Sequence, residues 1–482
     1  MFWAVAVAIA VMAAAWLMRI NAALLSVPDE ARKASPRRWT REQLRDAYER
    51  VKQKPIDFTK LLPPRLERRY VVVGGSGLVG GDIVLQLLQR GESPASIRVV
   101  DFAPLNRRDM VETAAGCDFV KADITSRASV EAAFSKPWPK SVAKLPLTVF
   151  HTAAAIRPQE RSPRLYHRIS PVNRDGVVNV LETARAAGAD ILIATSSASV
   201  GITPTNFWIW PWQSTPTNYC QVINEKDFDA PLRSHDQFFA NYARSKAEAE
   251  RIVCGANQDS FRTGTIRPGN PIYGQKTDPV LGIMLRMGDN VTWIAHVVQN
   301  FVNSRNVALA HLLFEAALAP GQPMPGCAGR TFNVTDAGPP IAFADAYLAG
   351  EELSATRVRI TKQQPLALLL VAHAIEAWCL LLARLPFLTT MFGLREPSGP
   401  IHMLQPAVFS VSIHTVVDDG AARKSVAEGG IGYEGGCTTL EGVCEQILNW
   451  NREHEGGRRE GEEEAPEGKI AKAALTVQGV AA

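Results

Sequence analysis

Apolar residues are distributed along the chain in distinct stretches. Residues 2–25 form a nearly unbroken apolar run in which Arg19 is the one charge. Residues 28–68 are charged and punctuated by proline, with one short helical pattern over 41–52. From residue 69 onward, short apolar runs alternate with amphipathic stretches of period 3.6, which predicts strands alternating with helices. Strands are expected at 70–73, 96–101, 118–123, 147–155 and 191–200, and helices at 78–88, 171–188 and from Tyr242 onward. A second dense apolar stretch, 364–391, is interrupted by His373, Glu376 and Arg384. After Trp450 the chain is rich in Gly, Glu and Arg and has little to bury, so 451–482 is expected to be a disordered tail.

The alternation predicts an α/β fold: a Rossmann-type doubly wound parallel sheet over residues 69–268 and a smaller C-terminal substrate-binding region over 269–450. The first strand runs into VVVGGSGLVGG. Gly74 permits the tight turn, Gly77 lets backbone approach a pyrophosphate, and Gly80 lets the helix pack on the strand. Leu78 and Val79 open that helix, whose free N–H groups and positive dipole end face the phosphates. The second strand ends in Asp101, at the spacing of a ribose-binding acid; its charge favours NAD over NADP, although Arg107 and Arg108 could offset it. Asp123 and Ile124 end the third strand, where adenine should lie. Ala153 and Ala154 are small enough for a cofactor to lie against the backbone, and nearby His151 suggests packing or a cofactor contact.

Composition narrows the setting. The net charge of +4, with no basic aromatic cluster, gives no reason to expect nucleic acid. Seven scattered cysteines have neither metal nor redox spacing and read as reduced thiols. As a helix, residues 2–25 are long enough to cross a hydrocarbon core of about 30 Å. The run lacks the basic leader of a cleaved signal peptide, so 1–27 is read as a transmembrane anchor. Arg19, Arg32, Lys33, Arg37, Arg38 and Arg41 follow, which places the catalytic part in the cytosol, with 28–68 as a tether. The charges within 364–391 disfavour a span. An interfacial helix or hairpin fits, with a buried core helix as its rival.

Tyr242 and Lys246 in YARSK lie one turn apart on a helix face, downstream of the Ser-rich strand end ATSSASV. With these motifs the chain resembles the extended short-chain dehydrogenase/reductases. More narrowly it resembles their 3β-hydroxysteroid dehydrogenase branch, which includes the decarboxylating sterol-4α-carboxylate 3-dehydrogenases. The likeness covers roughly 69–450 and is carried also by VVDFAP, KADITS, VFHTAA, VNRDGVVNVLETA, TIRPGNPIYG and RTFNVTD. It implies Ser197, rather than Ser196, as the partner of the reacting oxygen, Tyr242 as general base and Lys246 as its positive neighbour. A free tyrosine has a pKa near 10, so lowering it by two to three units needs about 3–4 kcal/mol of phenolate stabilisation. Lys246 and the nicotinamide ring would supply it; Tyr242 and Lys246 thereby also touch the cofactor.

The chain departs from the family in places. Val73 stands where threonine often precedes the glycines, and Asn303 and Arg305 replace the usual His and Asp of a segment that docks the two regions. The long loop before Tyr242 carries Trp208, Trp210 and Trp212 in alternation, which suits a β-edge or an apolar lip over the substrate mouth. The resemblance implies NAD-dependent oxidation of a 3β-hydroxyl on a sterol or terpenoid, with loss of a 4-carboxylate where one is present. It implies no metal, a lipophilic substrate, a homodimer or a complex with other sterol-modifying enzymes, and an endoplasmic reticulum membrane location. The alternatives are a non-decarboxylating 3β-hydroxysteroid dehydrogenase/isomerase or terpenoid dehydrogenase, a nucleotide-sugar epimerase or dehydratase, and a non-catalytic NAD-binding membrane scaffold.

Overall fold

The structure, a computed structural model, describes residues 1–321 and 323–454. The tail expected over 451–482 therefore lies, from residue 455, outside the described residues; its first residues belong to the last helix, Thr439–Glu453.

Seven strands form the main sheet: β1 (Arg69–Val73), β2 (Ile97–Asp101), β3 (Asp118–Lys121), β4 (Leu147–His151), β5 (Ala189–Thr195), β6 (Arg262–Pro268) and β7 (Thr331–Val334). All pair in parallel, in the order β7-β6-β5-β4-β1-β2-β3. The chain winds outward in both directions from β1 and β4, and the crevice between them is the switch point where such sheets bind ligands. Helices cover both faces, so β4 is buried throughout and β1 from Tyr70 onward, and both are largely apolar. Leu78–Gln89 and Ser304–Leu318 pack on one face; Arg127–Ser135, Gly176–Ala186 and Asn241–Gly255 pack on the other.

Three expectations need correction. The division at 268 is crossed, because β7 and the helix Ser304–Leu318 complete the nucleotide-binding layer. Residues 28–68 are not a loose tether. A Thr40 capping box starts the helix Arg41–Gln53, which buries Leu44, Ala47 and Val51 against the body, and Arg38 pairs with buried Asp345 at 2.7 Å. Of the two readings of the Trp loop, the β-edge does not hold for its tryptophans; the strand in that loop is Cys220–Ile223, paired with His414–Val417, and Asn206–Thr217 is an isolated bridge.

Asn303 and Arg305 dock the two regions in their own way. The Asn303 backbone N–H and Asn306 Nδ2 each donate to Asp336 Oδ1 at 2.7 Å, and Tyr273 and Thr439 donate to Oδ2. Arg305 pairs with Glu445 and lies 4.6 Å over the Phe58 ring. Among the described residues two helices, Phe2–Leu24 with its continuation and Pro365–Arg384, are long and apolar enough to cross a membrane by length and composition.

Candidate active site

The glycine turn is built by close contacts. Gly74 sits at φ +84°, and a Cβ there would lie 2.5 Å from the Ala153 nitrogen. A Cβ on Gly80 would lie 2.2 Å from the Gly74 carbonyl oxygen, so the helix can approach the turn only without a side chain. A Cβ on Gly77 would meet only that oxygen, at 3.2 Å, which leaves the space above Gly77 to the cleft. This cleft, of about 670 Å³, is lined by Gly74, Gly77, Leu78, Val79, Gly80, Asp101, Asp123, Ile124, Ala153, Ala154, Tyr242 and Lys246.

Asp101 lies at the cleft wall with its carboxylate oriented by the Ser76 N–H at 2.9 Å and the Ala103 N–H at 3.0 Å. Arg107 does not offset it. Its buried guanidinium pairs with Asp82 at 2.5 Å and Asp109 at 2.7 Å, and donates to the carbonyls of Gly77 and Leu78. Arg108 is exposed. Asp123 turns its carboxylate to the Thr125 N–H and hydroxyl, closing the turn after β3.

The helix Asn241–Gly255 carries Tyr242 and Lys246 one turn apart, both buried against the sheet. Burial pushes the Tyr242 phenol up to about 12, against a lowering interaction with the Ser197 hydroxyl. Burial pulls Lys246 down to about 8, with Glu250 opposing, and its ammonium donates to the Thr195 carbonyl at 2.8 Å. Thus Lys246 does not lower the phenol in the chain alone; desolvation wins. Bringing a phenol from that level to neutrality requires about 7 kcal/mol of added phenolate stabilisation.

The serines divide their positions. Ser197 shares a 2.8 Å hydrogen bond with Ser199 and reaches Tyr242, whereas Ser196 lines the cleft with a buried hydroxyl that has no protein partner. Asn173, which sequence reasoning leaves as an ordinary helix residue, sits in a π turn, Pro171–Asp175. It holds the Ala155 N–H and carbonyl at 2.7 and 2.9 Å and donates to Ser245 at 3.0 Å, tying the exit of β4 to the helix of Tyr242. Its signal is confined to the motif VNRDG. His151 is buried outside the cleft lining, on the side of Lys246. Cys379, Glu396 and His402 converge closely enough to share an ion, but Arg168 already pairs with Glu396 at 2.7 Å.

These residues fit NAD: a turn that excludes side chains, an acid held at the rim of β2, and an orphan serine hydroxyl facing the cleft. A doubly wound sheet with this cleft at its switch point, and Ser197, Tyr242 and Lys246 beside it, is a Rossmann-type nucleotide-binding fold. The chain belongs to the 3-beta hydroxysteroid dehydrogenase/isomerase family, whose profile matches residues 71–349. It is 29% identical over 279 residues to the human decarboxylating sterol-4-alpha-carboxylate 3-dehydrogenase, a match covering 56% of this chain and 62% of that enzyme, less than two thirds of its length. It is 26% identical over 400 residues to the 3-beta-hydroxysteroid dehydrogenase of Mycolicibacterium neoaurum, covering 78% of this chain and 90% of the other. Among solved structures, the UDP-glucose 4-epimerase of Thermotoga maritima shares the fold, with a TM-score of 0.52 at 18% identity over 80% of this chain and 99% of that one.

Proposed function

We propose that the chain oxidises the 3β-hydroxyl of a sterol or terpenoid, and that a 4-carboxylate, where the substrate carries one, then leaves as CO₂. The observation that carries this reading is the setting of the phenol. Tyr242 belongs to a large buried apolar cluster that takes in Phe238, Phe239, Ile209 and Phe409 and reaches Leu369 and Leu24. The cleft that Tyr242 enters is itself lined by Ile156, Val172, Ile272 and Pro279, and a polar sugar would leave its hydroxyls unpaired against them.

Tyr242 Oη takes the proton of the substrate hydroxyl, with Ser197 holding the oxygen. Lys246, released from Thr195, sets its positive charge beside the phenolate, and Asn173 fixes the helix that carries both. NAD⁺ supplies the hydride acceptor and a second positive charge. Once C3 is a ketone, a C4 carboxylate is β to it, and the electron pair left by CO₂ is delocalised onto the ketone oxygen.

The same reading puts the chain at the endoplasmic reticulum membrane with its catalytic part in the cytosol, supported by the apolar helix Phe2–Leu24 and the basic residues after it. A second reading, a nucleotide-sugar epimerase, is favoured by a 32% identity to mouse UDP-glucose 4-epimerase over 140 residues, or 27% of this chain. NADH absorbance and CO₂ release separate them. A 3β-hydroxy-4α-carboxysterol should give both products in matched yield, with NADH never lagging behind CO₂. NADH from a plain 3β-hydroxysterol alone would place the chain among non-decarboxylating dehydrogenases. Conversion of UDP-glucose without net NADH would establish the epimerase, and turnover of none of these would leave an NAD-binding scaffold.

A further inference from the structure

The helix Pro365–Arg384 is apolar on both faces, and its one acid is turned inward. Glu376 points into the body, where both arms of Arg161 meet it at 2.6 Å, and His373 lies 5.8 Å from Trp208 between ring centroids. The outward face reads Ala367, Leu370, Ala374, Ala377 and Leu381, all exposed, recurring every three or four residues and free of charge until Arg384. A helix facing water carries polar and charged residues on its outward face. The apolar surface continues into Phe387–Phe392, where Phe387, Met391 and Phe392 are exposed.

Two further apolar features join this face. Trp210 and Trp212 stack at 5.3 Å and are 61% and 77% exposed. The helix Phe2–Leu24 docks through its last turns only. Trp16 donates to the Ile209 carbonyl and Arg19 to the Gln213 carbonyl, each at 2.8 Å, and Asn21 donates to Gln364 at 2.6 Å. Its base is therefore held between the Trp loop and the start of the helix Pro365–Arg384. Residues 2–15 are exposed on every side and contain no polar side chain. At 1.5 Å per residue they reach about 21 Å, which is short of a hydrocarbon core of about 30 Å.

We infer that the body sinks into the near leaflet of a lipid bilayer on a collar made of the Trp210–Trp212 pair, the outward face of Pro365–Arg384 and the helix Phe387–Phe392, so that residues 2–15 complete the crossing. Burial of a collar to about 5–10 Å, the depth at which interfacial apolar faces rest, supplies the missing length. Tryptophan favours that boundary, and Arg19, at the base of the stem, reaches the headgroups. Lipid fits better than a second copy of the chain, because the stem projects beyond the body with all its sides apolar. The inward faces of the Trp loop and of Pro365–Arg384 belong to the cluster that holds Tyr242, so the collar and the phenol are tied to one core. This inference rests on the membrane reading above and adds depth and orientation to it.

The test uses the full chain with Cys117 and Cys220, the two partly exposed thiols, replaced by alanine. An environment-sensitive fluorophore is attached in turn at Val7→Cys, Leu370→Cys, Ala377→Cys and Met391→Cys, and at Val111→Cys, exposed on the nucleotide-binding layer, as control. Phosphatidylcholine vesicles with and without a lipid spin-labelled near the headgroup provide the readout. Probes at 370, 377 and 391 should be quenched several-fold and the probe at 111 should be unchanged. Quenching at 7 but not at 370, 377 and 391 would overturn the collar and leave the membrane reading standing. A full chain that does not float with vesicles would overturn both. Collar probes already shielded without vesicles, in a chain that sediments as a dimer, would assign the face to a second copy and overturn the inference.

Discussion

Lys246 donates its ammonium to the carbonyl of Thr195 at 2.8 Å, one helical turn from Tyr242 on the same helix. Burial drives each member of the pair towards its neutral form, the phenol up to about 12 and the ammonium down to about 8. The resting site thus protects a protonated phenol, and a bound cation is needed to draw the proton off.

Tyr242→Phe should lower turnover by about 10²–10⁴, the range of general-base contributions, while NAD affinity stays within a few-fold. Lys246→Met should lower turnover too and shift the rising limb of the pH–rate profile to higher pH, because the phenolate loses its positive neighbour. Steady-state rates with a 3β-hydroxysterol and NAD titration by fluorescence check both. A Tyr242→Phe enzyme that keeps most of its rate would show that the proton leaves by another group.

The positions of Tyr242 and Lys246 are legible because their spacing is local: one helix turn, following a strand that ends in serines. Their protonation is not, since it depends on burial by residues as distant as Phe409. Arg107 shows the same limit. Beside Asp101 in sequence it reads as a charge near the ribose, yet Asp82, on the glycine-turn helix, captures it. The stretch 28–68 misleads through composition, for its many charges mask the three buried positions Leu44, Ala47 and Val51, whose partners Cys444 and Leu448 lie at the far end of the chain. Strand β7 is Thr-Phe-Asn-Val, too short to stand out as a strand until it pairs with β6.

Asp101→Ala should weaken NAD binding and relax discrimination against NADP. The carboxylate is held by two backbone N–H groups of the glycine turn and the β2 exit, so its loss also loosens the turn. A charged hydrogen bond contributes about 1.5–3 kcal/mol, so NAD affinity should fall at least tenfold. Arg107→Ala should instead lower stability and leave cofactor preference unchanged, because it leaves Asp82 buried without its partner. Unchanged dissociation constants for both cofactors in Asp101→Ala would remove Asp101 from the ribose site.

Gly77→Ala and Gly80→Ala should separate two roles of the turn. The Gly80 methyl would press on the Gly74 carbonyl from 2.2 Å, against backbone that cannot give way cheaply. Overpacking of this kind costs about 1–3 kcal/mol, and both melting temperature and NAD affinity should drop. The Gly77 methyl meets protein only at 3.2 Å and otherwise occupies the cleft, so melting temperature should hold while NAD affinity falls. Thermal melts with and without NAD distinguish the two variants; equal loss of stability in both would mean that Gly77 serves the fold.

Acid should destabilise the chain more steeply than its carboxylates alone explain. Burial holds five histidines below their ordinary 6.5, four of them far below: His151 and His414 at about 3, His296 and His311 at about 4, with His373 the fifth. His311 is fixed between the Val307 carbonyl and the Thr195 hydroxyl, and His414 accepts from the Val298 N–H. The folded chain keeps these rings neutral, whereas the unfolded chain protonates them near 6.5. Unfolding therefore takes up protons, and the stability present above 6.5 is lost as pH falls towards 4. Each proton taken up steepens the loss by about 1.4 kcal/mol per pH unit. Asp336 opposes the trend. Burial raises its carboxyl to about 6, so its contribution is full below its unfolded value and lost as pH rises through 6. Burial also raises Glu225, Asp278, Glu315 and Asp345, which pull the same way as Asp336. Yet each of the four strongly shifted rings acts over the whole interval below 6.5, so urea unfolding should still show lower stability at about pH 5 than at about pH 7.5. His296→Phe should blunt the difference by removing one of the four. A flat profile would mean that these rings are charged or hydrated in the folded protein.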